Sequence, residues 1–305
     1  MNTLTIGILG VGWVGGTLAR YFEEIRGYRR GENLFLYDID PAKCAGPHTK
    51  GFGVGAGDFN NADIIFVTLP TPRNPKDGSC DTSIIESAIP KIKGEKIIVI
   101  RSTVLPGTTE RLQRQYLQHK FLFNPEFLTE SRAWNDMVRP DRQIVGFTEK
   151  SLDAAHAVLS LLPKAPFMSP WGMGTYQPTR ITATEAEFIK YAGNVHFARK
   201  VTFANALAKL AAHAGANYEN IRKGMAADHR IGDSHLDVMH GGYRGFGGYC
   251  FPKDISALIA FADAAGFNDV ATLIRADWDF NEKLLKEQGL TIEKVSAHIS
   301  STNND

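Results

Sequence analysis

The first half of the chain alternates short apolar runs with longer segments of helical spacing. The runs LTIGILG, NLFLYD, ADIIFVTL, KIIVIRST, FLFNPEF and QIVGF are rich in Ile, Val, Leu and Phe, which predicts buried strands. Between them, TLARYFEEIRG and TSIIESAIPKIKG have helical spacing and end at glycine. Alternating strands and helices predict an α/β architecture, a doubly wound parallel sheet with helices on both faces.

The second half of the chain changes to a helical pattern. An apolar-periodic stretch without proline runs from Thr184 to Ala214, ISALIAFADAAG predicts a helix after a glycine-rich loop, and TLIRADWDFNEKLLKEQ predicts another. The glycines of that loop and Pro252 are the strong helix breakers in this half. The Pro/Gly-rich passage PKAPFMSPWGMGTYQPT separates the halves, so we expect an α/β domain over residues 1–176 and an all-α domain over residues 177–305.

Composition and charge exclude several classes of function. The 305 residues are 43% hydrophobic and 22% charged, as in an ordinary globular protein, and a net charge of +1 gives no reason to expect nucleic acid. No apolar run approaches the roughly 18 residues of a membrane span, and the N-terminus lacks the features of a leader peptide. The three cysteines, Cys44, Cys80 and Cys250, lack metal-ligand spacing, so we expect a reducing cytoplasm and no metal.

A glycine motif indicates a dinucleotide site. Gly10, Gly12 and Gly15 have G-x-G-x-x-G spacing directly after the first strand and at the start of a helix. This context is typical of a Rossmann-type fold, in which the helix N-terminus binds a pyrophosphate. Asp38 ends the second strand, where a carboxylate accepts hydrogen bonds from a ribose and repels a 2′-phosphate, which favours NAD over NADP. The alternative is a doubly wound fold that binds another nucleotide or none.

Two further patterns leave structure and function open. Lys190 and Asn194 share a helical face, with Glu187 one turn before the lysine. Lys190 is either half of a surface ion pair with Glu187 or a buried group with a chemical role. In GGYCFPKD, Cys250 is either a buried thiol or a nucleophile with Lys253 and Asp254 beside it.

The chain resembles the UDP-glucose/GDP-mannose dehydrogenase family, NAD-dependent enzymes that oxidise nucleotide sugars by four electrons. The resemblance lies in GVGWVGG, ADIIFVTLPTP, STVLPGTT, NPEFLTES, PDRQIVG, AEFIKYAGN, HRIG, GFGGYCFPKD and FNEKLLKE, in family order. It implies that Cys250 attacks an aldehyde formed by the first hydride transfer, and that the adduct is oxidised to a thioester, which water hydrolyses. The default substrate is UDP-glucose, with UDP-glucuronate as product.

The resemblance also implies roles for individual residues. Lys190 and Asn194 would stabilise the oxyanion at the sugar C6 oxygen, Asp254 would accept the first proton, and Glu126 would be the base for thioester hydrolysis. Thr103 would hold the water network. Implied cofactor contacts come from Gly10, Val11, Gly12, Trp13, Val14, Gly15, Asp38, Lys43, Leu69, Pro70, Thr71, Pro72, Ser102, Thr103, Glu130 and Lys253. Implied substrate contacts come from Phe127, Leu128, Arg230, Tyr243, Gly245, Phe246 and Gly247.

The resemblance further implies a homodimer through the central helices, with Arg230 reaching the partner's substrate. The chain departs from the family in several places: we expect a short form without the usual third domain, Tyr249 stands where serine is common, and Ala206 stands where an acid is common. Two alternatives remain open. One is a single-step dehydrogenase of the β-hydroxyacid type, which needs no cysteine, and the other is a non-catalytic protein that binds NAD or a sugar.

Overall fold

The structure is a computed structural model that describes residues 4–44, 58–170 and 180–296, except for the side chains of Glu130 and His240. The chain forms two compact units. The first comprises Met1–Pro72 and Asp81–Lys190, and the second comprises Arg73–Cys80 and Tyr191–Asp305. The predicted domain boundary, between residues 176 and 177, lies outside the described residues.

The first unit contains the predicted parallel sheet. Its strands are β1 (Ile6–Leu9), β2 (Leu34–Tyr37), β3 (Ile64–Val67), β4 (Ile97–Ile100), β5 (Lys120–Phe123) and β7 (Gly146–Phe147), while β6 (Arg142–Ile144) pairs in parallel with β8 (Phe167–Ser169). The order in the larger sheet is β2-β1-β3-β4-β5-β7, and every pair is parallel except β5 with β7. This order reverses direction at β1 and β3, as in a Rossmann-type fold, which confirms the predicted fold class.

The segment QIVGF forms two short strands rather than the single strand that we expected. The chain leaves β6 at Ile144 and enters the antiparallel strand β7 at Gly146. Gly146 lies against the start of a helix, because a Cβ there would come within 2.7 Å of both the Ala186 Cβ and the Thr182 carbonyl oxygen. An apolar run cannot reveal this change of direction, since it depends on a neighbour distant in sequence.

Side chains of the larger sheet point alternately into two hydrophobic clusters. Ile6 and Ile8 belong to one cluster, whereas Ile65 and Val67 belong to the other. Helices flank the strands in this unit: α1 (Trp13–Glu24), α2 (Ser83–Ala88), α3 (Thr108–Gln115), α4 (Ala133–Val138) and α5 (Leu152–Leu161). Because both faces of the sheet are covered, its long strands are apolar apart from Lys120 at the start of β5, as the sequence pattern predicted.

The remaining helices are α6 (Ala183–His213), α7 (Tyr218–Ala226), α8 (Cys250–Ala264), α9 (Asn268–Lys286) and α10 (Ile292–Ser296). The division between the units falls within α6, after Lys190. Helix α8 begins at Cys250, earlier than predicted, because Pro252 does not break it. Proline is tolerated in the first turn of a helix, where the backbone N–H has no intrahelical acceptor. Within the described ranges, every helix is too short or too polar to cross a lipid bilayer.

Candidate active site

The glycine loop after β1 has the close packing that its motif predicted. Gly10 has a φ of +92°, and a Cβ there would lie 2.8 Å from the Thr68 carbonyl oxygen. At Gly15 a Cβ would lie 2.0 Å from the Gly10 carbonyl oxygen, so only glycine fits at this helix–loop crossing. No protein atom lies within 4 Å of the Cβ position at Gly12, among the described residues. The side of the loop at Gly12 is therefore open to a ligand.

Asp38, at the end of β2, is hydrogen-bonded to the same loop. One carboxylate oxygen accepts from the Val11 N–H at 2.7 Å, and the other accepts from the Asp40 N–H at 2.9 Å. The Lys43 ammonium lies 3.8 Å from the Asp38 carboxylate. Val14, in the first turn of α1, and the exposed Trp13 continue the loop. The structure thus brings these predicted adenosine-side residues to one edge of the sheet.

The predicted cofactor residues after β3 and β4 are also neighbours. The Ser102 hydroxyl donates to the Leu69 carbonyl at 2.6 Å, and the Thr71 hydroxyl donates to the Thr103 carbonyl at 2.8 Å. Pro70 and Pro72 are exposed on either side of the buried Thr71. The carboxyl ends of β3 and β4 therefore form one hydrogen-bonded platform, at the edge where ligands bind in open α/β sheets.

Lys190 and Glu126 form a buried ion pair in the first unit. Their exposed fractions are 4% and 6%, and the Lys190 Nζ lies 3.3 Å from a Glu126 carboxylate oxygen. The ammonium also donates to the Glu126 carbonyl at 2.5 Å, and the Leu128 N–H donates to the carboxylate. The Phe127 ring centroid is 5.9 Å from the ammonium. Such contacts serve a catalytic acid–base pair and a salt bridge alike.

Glu187 does not pair with Lys190, so the surface-pair alternative is wrong. Glu187 is fully buried and accepts hydrogen bonds from the Gly107 N–H at 2.6 Å, the Thr109 N–H at 2.8 Å and the Thr109 hydroxyl at 2.6 Å. The side chain thus caps the N-terminus of α3. Burial raises the pKa of Glu187 to about 7, although the hydrogen bonds from Thr109 and Gly107 act in the opposite direction.

In the second unit, three predicted catalytic residues lie around the first turn of α8. The buried Asp254 accepts from the Asn194 amide at 2.5 Å and from the Lys253 ammonium. Burial lowers the pKa of Lys253, but Asp254 together with the Cys80 and Cys250 thiols outweighs burial, so that the pKa is raised above its ordinary value. Cys250 is the first residue of α8 and is half-buried. A helix N-terminus stabilises a negatively charged group such as a thiolate.

Cys80 is a neighbour of this set that sequence reasoning missed. The segment Arg73–Cys80 belongs to the second unit, and a Cβ at Gly78 would lie 3.3 Å from the Cβ of Ser256 on α8. The Cys80 and Cys250 thiols both contribute to the raised pKa of Lys253, so both lie near its ammonium. The separation of these cysteines in sequence gave no sign that they share a neighbour.

The predicted substrate loop from Tyr243 to Gly247 is fixed by Asn281 of α9. The Asn281 amide accepts from the Phe246 N–H at 2.7 Å and donates to the Phe246 carbonyl at 3.0 Å. Gly245 has a φ of +109°, and a Cβ there would come within 2.5 Å of the Asn281 amide oxygen. The Phe246 side chain is only 2% exposed and belongs to the hydrophobic core of the unit. The loop therefore offers its backbone and Tyr243, rather than Phe246, to a ligand.

One predicted residue, Arg230, lies apart from these groups. Arg230 is exposed and pairs with Asp228, with 2.6 Å between its guanidinium and the carboxylate. The side chain of Glu130 lies outside the part of the structure that is described. Conversely, Arg101 is a buried charged residue that the sequence analysis did not identify. It directly follows β4, and a charge at the end of an apolar run was the available signal.

Comparison with known proteins assigns the family. Residues 54–161 match the NAD binding domain of the UDP-glucose/GDP-mannose dehydrogenase family, and residues 184–283 match the central domain of that family. The Bacillus subtilis protein YtcA is 31% identical, over 96% of this chain and 70% of its own length. The chain belongs to the UDP-glucose/GDP-mannose dehydrogenase family. The prediction from sequence motifs is confirmed, as is the predicted cofactor, NAD.

Other members of the family are similar over most of the chain. A UDP-glucose 6-dehydrogenase of Pseudomonas aeruginosa is 32% identical over 86% of this chain and 62% of its own length. A UDP-glucose dehydrogenase structure from Pyrobaculum islandicum covers 94% of this chain and 71% of its own, with a TM-score of 0.69 and 26% identity. The UDP-D-ManNAc dehydrogenase from Pyrococcus horikoshii, with a TM-score of 0.74 and 21% identity, shares the fold. The chain spans 62% to 70% of the length of the curated relatives described above.

Within this dehydrogenase family, the comparisons concern domains rather than individual side chains. The roles of Cys250, Lys190, Asn194, Asp254 and Glu126 therefore stay predictions, as do the cofactor and substrate contacts. The structure brings Lys190 together with Glu126, and Asn194 together with Asp254. These two pairs join four of these five predicted catalytic residues.

Proposed function

We propose that this protein oxidises a nucleotide sugar at C6 by four electrons, with UDP-glucose as substrate and UDP-glucuronate as product. The observation that carries the proposal is the hydrogen bonding of Asn194 of α6 to Asp254, which also pairs with Lys253, near the start of α8, the helix that begins at Cys250. It supplies an amide, a buried carboxylate and an ammonium beside a thiol. The family to which the chain belongs supports the same chemistry.

The residues of the first unit fit NAD. The open side of the loop at Gly12 leaves room for a pyrophosphate, and the N–H groups at the start of α1 would hold it. Asp38 would bind the adenosine ribose, and Thr71, Ser102 and Thr103 would line the nicotinamide side. When bound, NAD would accept one hydride in each of the two oxidations. The protein supplies binding, orientation and proton transfer.

In the first oxidation, the C6 hydroxyl loses a proton and the carbon loses a hydride, which leaves an aldehyde. Asp254 is the proton acceptor in this step and works in a network with Lys190 and water. Lys190 and Asn194 stabilise the negative charge on the C6 oxygen. Fixed donors of this kind are worth about 3–4 kcal/mol each in a site from which water is excluded.

In the second oxidation, the Cys250 thiolate bonds to the aldehyde carbon, and the carbonyl oxygen takes back the proton that Asp254 accepted. This thiohemiacetal loses a hydride, and its hydroxyl proton returns to Asp254, which gives a thioester on Cys250. Glu126 then takes a proton from water, the hydroxide attacks the thioester carbon, and the C–S bond breaks to release the acid. Covalent attachment divides one difficult oxidation into two easier steps and retains the aldehyde.

Stoichiometry tests the proposal. NADH and uronic acid are measured together against a panel of UDP- and GDP-sugars, and we expect two NADH for each acid. The Cys250→Ser variant should release no acid at a measurable rate, because the protonated serine hydroxyl is a far poorer nucleophile than a thiolate at neutral pH, and an alkoxide is a poorer leaving group. The matched control is Cys80→Ala, which removes the other thiol near Lys253 and should keep the stoichiometry.

Two results would contradict the proposal. Acid release by Cys250→Ser at the wild-type rate would exclude the covalent scheme. One NADH per turnover, unaffected by alkylation of Cys250, would instead indicate single-step oxidation of the β-hydroxyacid type.

A homodimer through the central helices, with Arg230 directed to the partner's substrate, and a cytoplasmic location belong to the same proposal. Analytical ultracentrifugation with and without Arg230→Ala tests the dimer.

A further inference from the structure

Arg101 is a buried cation outside the groups assigned above. It directly follows β4, and its side chain is only 5% exposed. Its guanidinium donates to the side-chain oxygen of Asn124, whose amide in turn donates to Gln143 at 3.0 Å and to the Ile144 carbonyl at 2.6 Å. The guanidinium Nε has no hydrogen-bond acceptor among the described residues. The Arg101 guanidinium, one of the groups that cost most to bury, thus has only part of its hydrogen-bonding capacity satisfied.

A purely structural role does not account for this arrangement. Removing a guanidinium from water costs several kcal/mol, and a buried apolar residue of similar volume is often as stable or more stable. Within the described ranges, no carboxylate lies within 4 Å of Arg101 to offset that cost. Burial lowers the pKa of Arg101 to about 10, and the one charged group that acts against burial is the Glu126 carboxylate.

Glu126 therefore has two cations around it in the first unit. Lys190 lies 3.3 Å away and forms the direct ion pair, whereas Arg101 acts through space and supports the loop through Asn124. Asn124 precedes Glu126 by two residues, and its backbone N–H donates to the Ile100 carbonyl at 2.9 Å. The guanidinium thus contacts a residue two positions before Glu126 and lies within electrostatic range of the Glu126 carboxylate.

We propose that Arg101 is a positioning residue for Glu126, whose carboxylate it stabilises when the Lys190 ammonium is engaged with the substrate oxygen. This inference rests on the proposed function. In the first oxidation Lys190 turns to the C6 oxygen, which would leave a buried carboxylate without its ion-pair partner. Arg101 keeps the second positive charge in place. Glu126 is then ready to take the proton from water when the thioester forms.

This role predicts an effect on one step alone. Hydride transfer in the first oxidation does not use Glu126, whereas thioester hydrolysis does. Arg101→Gln should therefore keep the first-turnover burst of NADH within about twofold of wild type. It should slow acid release by roughly 10- to 100-fold, a part of the 10²- to 10⁴-fold that a general base contributes. Arg101→Lys retains the charge and should restore most of the rate of acid release.

A matched variant and a double-mutant cycle separate positioning from support of the loop. Gln143→Met breaks the same hydrogen-bond network but keeps the guanidinium, so the ratio of the two step rates should stay at its wild-type value. Glu126→Gln should slow hydrolysis strongly, and adding Arg101→Gln to it should cause no further loss. Two residues that act independently would instead show additive losses.

The outcomes distinguish this inference from the proposed function. A wild-type protein that forms no NADH from any nucleotide sugar overturns both. A wild type that forms two NADH per acid, with acid release by Arg101→Gln unchanged or with both steps slowed alike, overturns the role of Arg101 only. If Arg101→Gln does not fold, as judged by its thermal transition, Arg101→Lys and Gln143→Met still decide. Selective loss of acid release in Arg101→Lys, which retains the charge, would likewise overturn the proposed role of Arg101.

Discussion

The glycines at the start of α1 differ in the space around their Cβ positions. Substitution by alanine, which adds one methyl group, should therefore affect each of them differently. Gly15→Ala would place its Cβ 2.0 Å from the Gly10 carbonyl oxygen, so helix or loop must move by more than 1 Å, on the order of the shifts that cost about 1–3 kcal/mol or more in overpacked sites. Gly12→Ala meets no protein atom within 4 Å, and its φ of −79° suits alanine. Gly16→Ala also meets nothing within 4 Å, and Gly16 lies inside the helix.

The three variants should therefore change different properties of the protein, either its free energy of unfolding or its affinity for NAD. Gly16→Ala should raise the free energy of unfolding by about 0.5–1 kcal/mol, because alanine loses less backbone entropy than glycine in a helix. Gly15→Ala should lower it by at least about 1–3 kcal/mol. Gly12→Ala should leave it unchanged but weaken NAD binding by about 10- to 200-fold, since the methyl group occupies the approach of the pyrophosphate.

Urea unfolding without ligand and calorimetric titration with NAD measure both properties on the same samples. Gly16→Ala is the control, since it adds the same methyl group one residue beyond Gly15 and should bind NAD as the wild type does. Two results would refute the reasoning. One is a Gly12→Ala variant that binds NAD with unchanged affinity, and the other is a Gly15→Ala variant as stable as Gly16→Ala.

Two further predictions concern buried polar groups. The pKa of Glu187 is about 7 in the folded state and 4.5 when unperturbed, so the unfolding free energy should fall by about 1.4 kcal/mol per unit as the pH rises between these values. Glu187→Gln should flatten this slope in urea titrations at pH 5 and pH 8, and an unchanged slope would exclude Glu187 as its source. Asn281→Ala removes both hydrogen bonds to Phe246 and should destabilise the protein by about 2–4 kcal/mol, whereas a change below 1 kcal/mol would contradict the role of Asn281 in fixing the loop.

Sequence patterns correctly predicted the strands that are buried on both faces of the sheet. Strands such as β3 and β4 are covered on both faces, so their apolar runs are sufficient to identify them. The start of α8 was missed because Pro252 was counted as a breaker, although proline is compatible with a first turn. The direction of β7 was missed because it depends on a helix that follows much later in the chain.

The candidate site was predictable where chemistry follows a short motif, and unpredictable where it depends on distant partners. The glycine spacing and Asp38 indicated a dinucleotide site, and the match to an NAD binding domain agrees with it. The spacing of Glu187 and Lys190 suggested a mutual pair, but each has a partner from another element. The place of Arg101 beside Glu126 arises because β4 and β5 are adjacent in the sheet, which no local pattern contains.

The segment Arg73–Cys80 leaves the first unit between β3 and α2 and returns after eight residues, so the chain passes between its two units three times. A protein cut after Lys190 would keep Gly78 but lose Ser256, against which it packs. The complementary fragment, after Lys190, would keep α8 but lose the segment Arg73–Cys80, which packs against α8 at Gly78. Neither half is thus a self-sufficient folding module, and limited proteolysis should not yield two independently stable pieces.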